Sequence, residues 1–262
     1  MRTTMVVRRT TPLSSLVLFA AAGLALALAG CGASEAPTSG FTQDPALMSK
    51  DPRYPFQRTY WNKKFDPKTY TQLYVAPVNT QYVMAQNFWE KVNVANVDPD
   101  KVKKDVAMIA QYTRESFIRA AADDPKHRFT VVDKPEGPNT LILELAITQL
   151  VPSKAVLNAI GYVTWIPTVV ALGGSTATDS QDTGKGVIAI EGRARDGATG
   201  EIIGMFADRQ HPPTAIVDVK SLNWWAPAKQ IIDTWSKQLI QVANLPPGGV
   251  VKDMPNFELL VW

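Results

Sequence analysis

Two histidines, one Gly-Gly-Ser-Thr run, a charged hairpin and a single cysteine are the parts of this chain whose residue types suit chemistry. His127 and His211 are its only imidazoles, so a base that titrates near neutral pH has to be one of them. His127 stands in the charged connector Asp124-Pro125-Lys126-His127-Arg128, and His211 precedes Pro212-Pro213. Both read as solvated loop residues, and a hydrolase built on either is the least favoured reading. Neither belongs to a metal-ligand spacing, so no metal is expected. Gly173-Gly174-Ser175-Thr176 lacks the Gly-Lys-Ser end of a phosphate loop and the Gly-x-Ser-x-Gly of a nucleophile elbow, and reads as a loop. No cofactor motif is present, no cofactor is expected, and the chain is not read as an enzyme.

Glu191, Arg193, Arg195, Asp208 and Arg209 place opposite charges on or beside one hairpin. Glu191, Arg193 and Asp208 are therefore candidates for binding a polar ligand. The plainer reading is cross-strand charge pairing on a solvated sheet face.

Cys31 is the residue whose neighbours specify a reaction. Arg2, Arg8 and Arg9 precede an uncharged apolar run from Leu13 to Leu28, in the order of an export signal. The run ends in Leu28-Ala29-Gly30-Cys31, which looks like the lipobox of bacterial lipoproteins. That resemblance implies cleavage before Cys31, alkylation of its thiol with diacylglycerol and acylation of its new amino group. Anchoring by more than one chain is effectively permanent, because each buried methylene contributes about 0.8 kcal/mol. Gly32, where such lipoproteins carry Asp for inner-membrane retention, implies the periplasmic face of the outer membrane.

Loss of the first thirty residues takes the 27 basic residues down by three, to the 24 of the acidic set, so the formal +3 belongs to the discarded segment. Nucleic acid is not an expected partner. With its only cysteine lipidated, the domain has no disulfide, and its stability rests on an ordinary core.

Residues 31–56 are rich in Ala, Pro, Ser, Thr and Gly and read as a lipidated cysteine followed by a flexible tether. The aromatics from Tyr54 to Trp61 temper this, since so many rings together usually pack against something. Leu73 to Val78 has strand composition, with Pro77 marking an edge or an end. Asp98-Pro99 reads as a helix start, and Val102, Val106, Ile109, Tyr112, Thr113, Phe117 and Ala120 recur at the helical period up to Asp123-Asp124-Pro125. Phe129–Val132 is a short strand. Leu141, Leu143, Leu145 and Ile147 alternate in a longer one and face the core. Gly186–Arg195 and Ile202–Asp208 form a hairpin about Asp196-Gly197-Ala198-Thr199-Gly200. A second helix, Pro227–Asn244, carries the stripe Ile231, Ile232, Trp235, Leu239 and Val242.

The fold expected is α+β: a single two-layer domain over residues 57–262, with a mostly antiparallel sheet of four to five strands packed against two long helices. An apolar insertion, about 155–178, interrupts it. Its charge-poor part, Ala155–Ala171, is too short and too broken by Asn158, Gly161 and Pro167 to span a membrane comfortably. A buried loop or short helix is the favoured reading. The alternative is an exposed apolar surface in which Tyr162, Trp165 and Ile166 meet a partner or lipid.

The lipobox, Ser39-Gly40-Phe41, Tyr70 with Ala76-Pro77-Val78, Thr148, and Ile190-Glu191-Gly192-Arg193-Ala194-Arg195-Asp196-Gly197-Ala198-Thr199-Gly200-Glu201 with Asp208-Arg209 together resemble an uncharacterised family of Gram-negative lipoproteins, the domain of unknown function 3313 type. The resemblance covers nearly all of the mature chain and brings no activity and no catalytic residues. The hairpin motif is explained by its turn: Asp196 caps it with its own side chain, Thr199 does so more weakly, and Gly200 supplies a positive φ. The expected function is that of a non-enzymatic envelope component that binds another envelope protein. A carrier of an apolar small molecule or lipid, with Ala155–Ala171 lining its pocket, is the alternative.

Overall fold

The computed structural model describes residues 33–35, 37–84, 99–135, 137–151, 186–211 and 225–253. Six strands form one sheet: β1 (Arg58–Trp61), β2 (Gln72–Val75), β3 (Thr130–Val131), β4 (Thr140–Val151), β5 (Val187–Asp196) and β6 (Ile202–Gln210), in the order β1-β6-β5-β4-β2-β3. Pairing is antiparallel across β1/β6, β6/β5 and β5/β4, and parallel where β2 meets both β3 and β4. Among the described residues the α-helices are a short α1 (Gln81–Met84), α2 (Pro99–Ala122) and α3 (Ala226–Ala243).

The class is α+β, as expected, but the sheet has six strands rather than four to five, and it is mixed, with three antiparallel pairings and two parallel ones. The difference lies in two places. β1 comes from the aromatic stretch before the expected strands and closes an edge against β6. Parallel pairing of β2 follows from α2, which returns the chain to the same end of the sheet before β3 and β4 begin; a crossover of this kind is what parallel neighbours require. Pro77 lies just beyond β2, so it ends a strand that is internal to the sheet.

Strand alternation assigns the two faces. Leu143, Leu145 and Ile147 of β4, Ile188 and Ile190 of β5 and Phe206 of β6 are buried in one cluster with Val106, Ile109 and Phe117 of α2 and Ile231, Ile232 and Trp235 of α3. A register shift between Ile147 and Gln149 lets the long β4 keep pairing with β5 to its end. The helices are joined by Asp233 of α3, whose carboxylate accepts from Tyr112 Oη and Ser116 Oγ of α2, each at 2.7 Å. Among the described residues, no helix is long and apolar enough to cross a membrane.

The opposite face is covered by the segment expected to be a tether. Between Ala33 and Ser49 the segment is held at particular points: Phe41, Thr42 and Met48 are buried, and Ser49 bridges to Thr59 in β1. Composition suggested a free linker because Ser, Thr, Pro and Gly dominate there. Those residues are instead the donors and tight turns that a chain laid across a polar face needs.

Candidate functional site

Glu191, expected on a solvated face, is 0% exposed. Its carboxylate accepts from Ser39 N (3.0 Å), Ser39 Oγ (2.9 Å), Thr42 N (3.2 Å) and Thr42 Oγ1 (3.3 Å). Among the described residues it has no ion-pair partner, so these four donors are what makes its burial tolerable. Two residues along the same face, Arg193 donates to the Phe41 carbonyl at 2.8 Å, lies over the Phe41 ring at 4.3 Å, and pairs with Glu144. Arg195 reaches the same Glu144 at 2.8 Å. Burial pushes the Glu144 carboxyl up, but the hydrogen bonds from Arg195 and Arg193 outweigh it and hold it below the usual carboxylate range. Cross-strand charge pairing is therefore real, on a face that the N-terminal segment covers.

Asp208 does not belong to this cluster. It pairs in register with Ile190, whereas Glu191 pairs with Ala207, so the two carboxylates point to opposite sides of the sheet. Asp208 is 1% exposed on the helix side, where it accepts from Trp235 Nε1 (2.6 Å), Gln210 Nε2 (2.9 Å) and Gln57 N (3.1 Å). Burial pushes its carboxyl up to about 6 against the pull of those donors. The grouping of Glu191, Arg193 and Asp208 as one polar ligand face is thus corrected. The hairpin residues carry internal ties that fix the segment above and the helix below.

The turn itself follows local sequence. Asp196 Oδ1 accepts from Ala198 N (3.0 Å) and Thr199 N (2.7 Å), Thr199 Oγ1 accepts from Glu201 N (3.2 Å), and Gly200 has φ +71°. Tyr70 Oη adds a long-range bond to Asp196 Oδ2 at 2.8 Å. The motif residues that seemed scattered along the chain therefore meet in pairs: Ser39 with Glu191, Phe41 with Arg193, Tyr70 with Asp196.

The feature with room for a ligand was not foreseen. A cavity of about 810 Å³ lies at the end of the sheet where β1, β4 and β5 meet the last turn of α3. Its sheet wall is Leu141, Leu143, Ala194 and Phe206; its helix wall is Leu239, Val242 and Ala243; Tyr54, Trp61 and Phe65 close a third side. Trp61 packs on its register partner Gly204, where a methyl group would come within 2.5 Å of the ring. Lys63, Lys68, Lys126 and Arg128 stand around the opening with Asp66. This volume falls in the range of small-molecule pockets, about 300–1,000 Å³, whose walls are mainly apolar with a few polar groups. The aromatic run from Tyr54 to Trp61 was the available sequence signal. Its partners across the cavity come from segments about 80 to 190 residues away, which local pattern cannot supply.

His127 is exposed with φ +48°, as a solvated loop residue. His211 is half-buried rather than solvated, its Nδ1 2.9 Å from the Gly186 carbonyl, because it directly follows β6 beside the start of β5. The two are not in one site. Among the described residues, no three His, Cys, Asp or Glu side chains gather as a metal site. Leu28, Ala29, Gly30 and Cys31, residues 173–176, and Tyr162, Trp165 and Ile166 lie outside the described residues.

A family model described as a protein of unknown function (DUF3313) matches residues 37–239. No curated protein matches the chain. Among solved structures, the PelC dodecamer of Paraburkholderia phytofirmans is similar at 7% identity and TM-score 0.34, over 70% of this chain and 94% of that one. A DUF330 protein of Xanthomonas campestris is similar at 11% identity and TM-score 0.36, over 70% of this chain and 90% of that one. A hypothetical protein of Chlamydia trachomatis is similar at 8% identity and TM-score 0.32, over 67% and 96%.

Proposed function

Because this chain belongs to the DUF3313 family of proteins of unknown function, with no activity to inherit, we propose from its own geometry that it is a non-enzymatic binding protein that holds one apolar molecule in the cavity beneath Trp61. The cavity is the observation that carries this reading: about 810 Å³ walled by Leu, Val, Phe and Trp side chains. Such a space stays open only where the surrounding elements hold it, since packing density otherwise favours collapse. We read α2 and α3 as a layer over one face of the sheet, with the cavity at the end of that layer. Ala155–Ala171, the stretch expected to line such a pocket, lies outside the described residues.

In this reading Cys31 is the lipid anchor and the protein sits on the periplasmic face of the outer membrane. The fold then begins almost at the anchor. Arg209 Nη1 donates to the Ser34 carbonyl at 3.2 Å, and Gln57 Nε2 donates to the Ala33 carbonyl at 2.8 Å, so the folded unit begins at Ala33. Arg209 is in register with Ala189, five residues along β5 from the cavity-lining Ala194, a rise of about 17 Å. The cavity thus lies toward the other end of β5 from the strand position that holds Ser34.

Two measurements test the reading. Native mass spectrometry of the mature protein extracted from membranes is expected to show one extra small-molecule mass, and Ala194→Trp, which fills the cavity, is expected to remove it. Repeatedly ligand-free wild-type protein would sink the proposal. For the anchor, the intact mass is expected to correspond to a chain starting at Cys31 with diacylglyceryl and acyl groups. A mature chain that starts elsewhere, or that salt washes off the membrane, would refute lipidation.

A further inference from the structure

The opening of the cavity is strongly basic. Arg53, Lys63, Lys68, Lys126 and Arg128 line it against the single carboxylate of Asp66. Arg53 is neutralised by Asp51 at 2.6 Å. Lys63, Lys68, Lys126 and Arg128 have no carboxylate within 4 Å among the described residues.

Arg128 is the most constrained of them. Its Nη1 donates to the Tyr70 carbonyl, its Nη2 to the Pro67 carbonyl and its Nε to the Ala243 carbonyl at 3.4 Å. These neutral acceptors fix the guanidinium without cancelling its charge, and they occupy three of its five N–H groups. The plane lies over the Phe129 ring at 4.6 Å. An arginine held in this way has already lost its side-chain freedom, so an anion meeting its two remaining N–H groups binds without that entropic cost. Lys68 is next in chain to Pro67, and Lys126 is two residues before Arg128, which brings two exposed ammonium groups to the same opening.

Resting on the reading of the cavity as an apolar ligand site, we infer that its ligand is a single-chain anionic amphiphile: an alkyl chain among Leu143, Phe206 and Leu239, and a carboxylate or phosphate head at Arg128, Lys126 and Lys68. The apolar wall explains the chain, and the excess of cations over the nearby carboxylates of Asp66 and Asp124 explains the head. A wholly apolar ligand would leave the cations without a role, and a small polar anion would leave the cavity unfilled.

The test uses the mature full-length protein in membranes and three photoactivatable probes with one alkyl chain and different heads: carboxylate, phosphate and alcohol. Charge-assisted hydrogen bonds are expected to make labelling of peptides containing Leu143, Phe206 or Leu239 about tenfold stronger with an anionic probe than with the alcohol. Whichever of the two anions labels better names the head group. Arg128→Gln removes this preference. Because Arg128 also ties three backbone carbonyls, the double variant Lys68→Gln/Lys126→Gln, on exposed side chains, supplies the second reading and is expected to lower anionic labelling several-fold while leaving alcohol labelling unchanged. Equal labelling of the cavity by all three heads would overturn the anionic class and leave the apolar site standing. Absence of cavity labelling by every probe would overturn both.

Discussion

Replacing Trp235 by alanine is expected to lower the unfolding free energy of the mature protein by about 4 kcal/mol, the range of large aromatic deletions in a packed core. Trp235 is 0% exposed and is the largest fully buried side chain among the described residues. For a chain of this size the melting temperature should fall by roughly 10 °C. The ring packs α3 on the sheet, and its indole N–H is also a donor to Asp208 at 2.6 Å. Trp235→Phe separates the two contributions, since most of the ring stays and the donor goes.

The pH dependence of Trp235→Phe reports on Asp208. In the native state this carboxyl sits at about 6, raised by burial from 3.8. Its contribution therefore favours folding fully below about pH 4 and is lost as pH rises through 6; a two-unit difference corresponds to about 3 kcal/mol. Without the indole donor the native carboxyl is raised further, so Trp235→Phe should cost about 2 kcal/mol at pH 8 and nearer 1 kcal/mol at pH 5. Glu144 and Asp196, both held below the usual range, act with the opposite sign, stabilising above their unfolded values and losing that in acid. The comparison between variant and wild type at each pH cancels them. A cost that is the same at both pH values would show that Asp208 does not ionise in this interval.

Glu191→Ala is the second large effect, about 3 kcal/mol. Four donors from Ser39 and Thr42 converge on this carboxylate, and Thr42 is buried, so deletion leaves N–H and O–H groups desolvated without an acceptor. Glu191→Gln keeps the shape and one acceptor oxygen and should lose less. The localised consequence is release of the segment that covers Met205 and Ala207. Limited proteolysis should then cut between residues 39 and 49 in Glu191→Ala while α3 and the β5–β6 hairpin stay protected. Protection of that segment in a folded Glu191→Ala protein would mean that Arg193, Arg209 and the bridge at Ser49 hold it without the carboxylate.

What the sequence determined about this protein is local. The Asp196 turn depends on atoms within five residues, so Asp196, Thr199 and Gly200 announce it. The stripes of α2 and α3 and the alternation of β4 follow from one element's own geometry, which is why helix ends near Ala122 and Ala243 and the core positions Leu143, Leu145 and Ile147 were readable. The family resemblance was readable for the same reason, as a set of short motifs. Tertiary structure decided the rest. The alternation of β5 and β6 marks a polar face but not what lies on it; Glu191 is buried because residues about 150 positions upstream bring the donors it needs. β2 became internal and parallel because α2 carries the chain across before β3 and β4, and strand partnership is set by that path rather than by strand composition. The cavity exists only where β1, β4, β5, β6, α3 and the connector at Arg128 come together, and no one of these segments by itself encodes an empty space with a charged opening. Periodicity and turn chemistry act over a few residues, whereas burial, charge compensation and cavities depend on which distant segments the fold brings into contact.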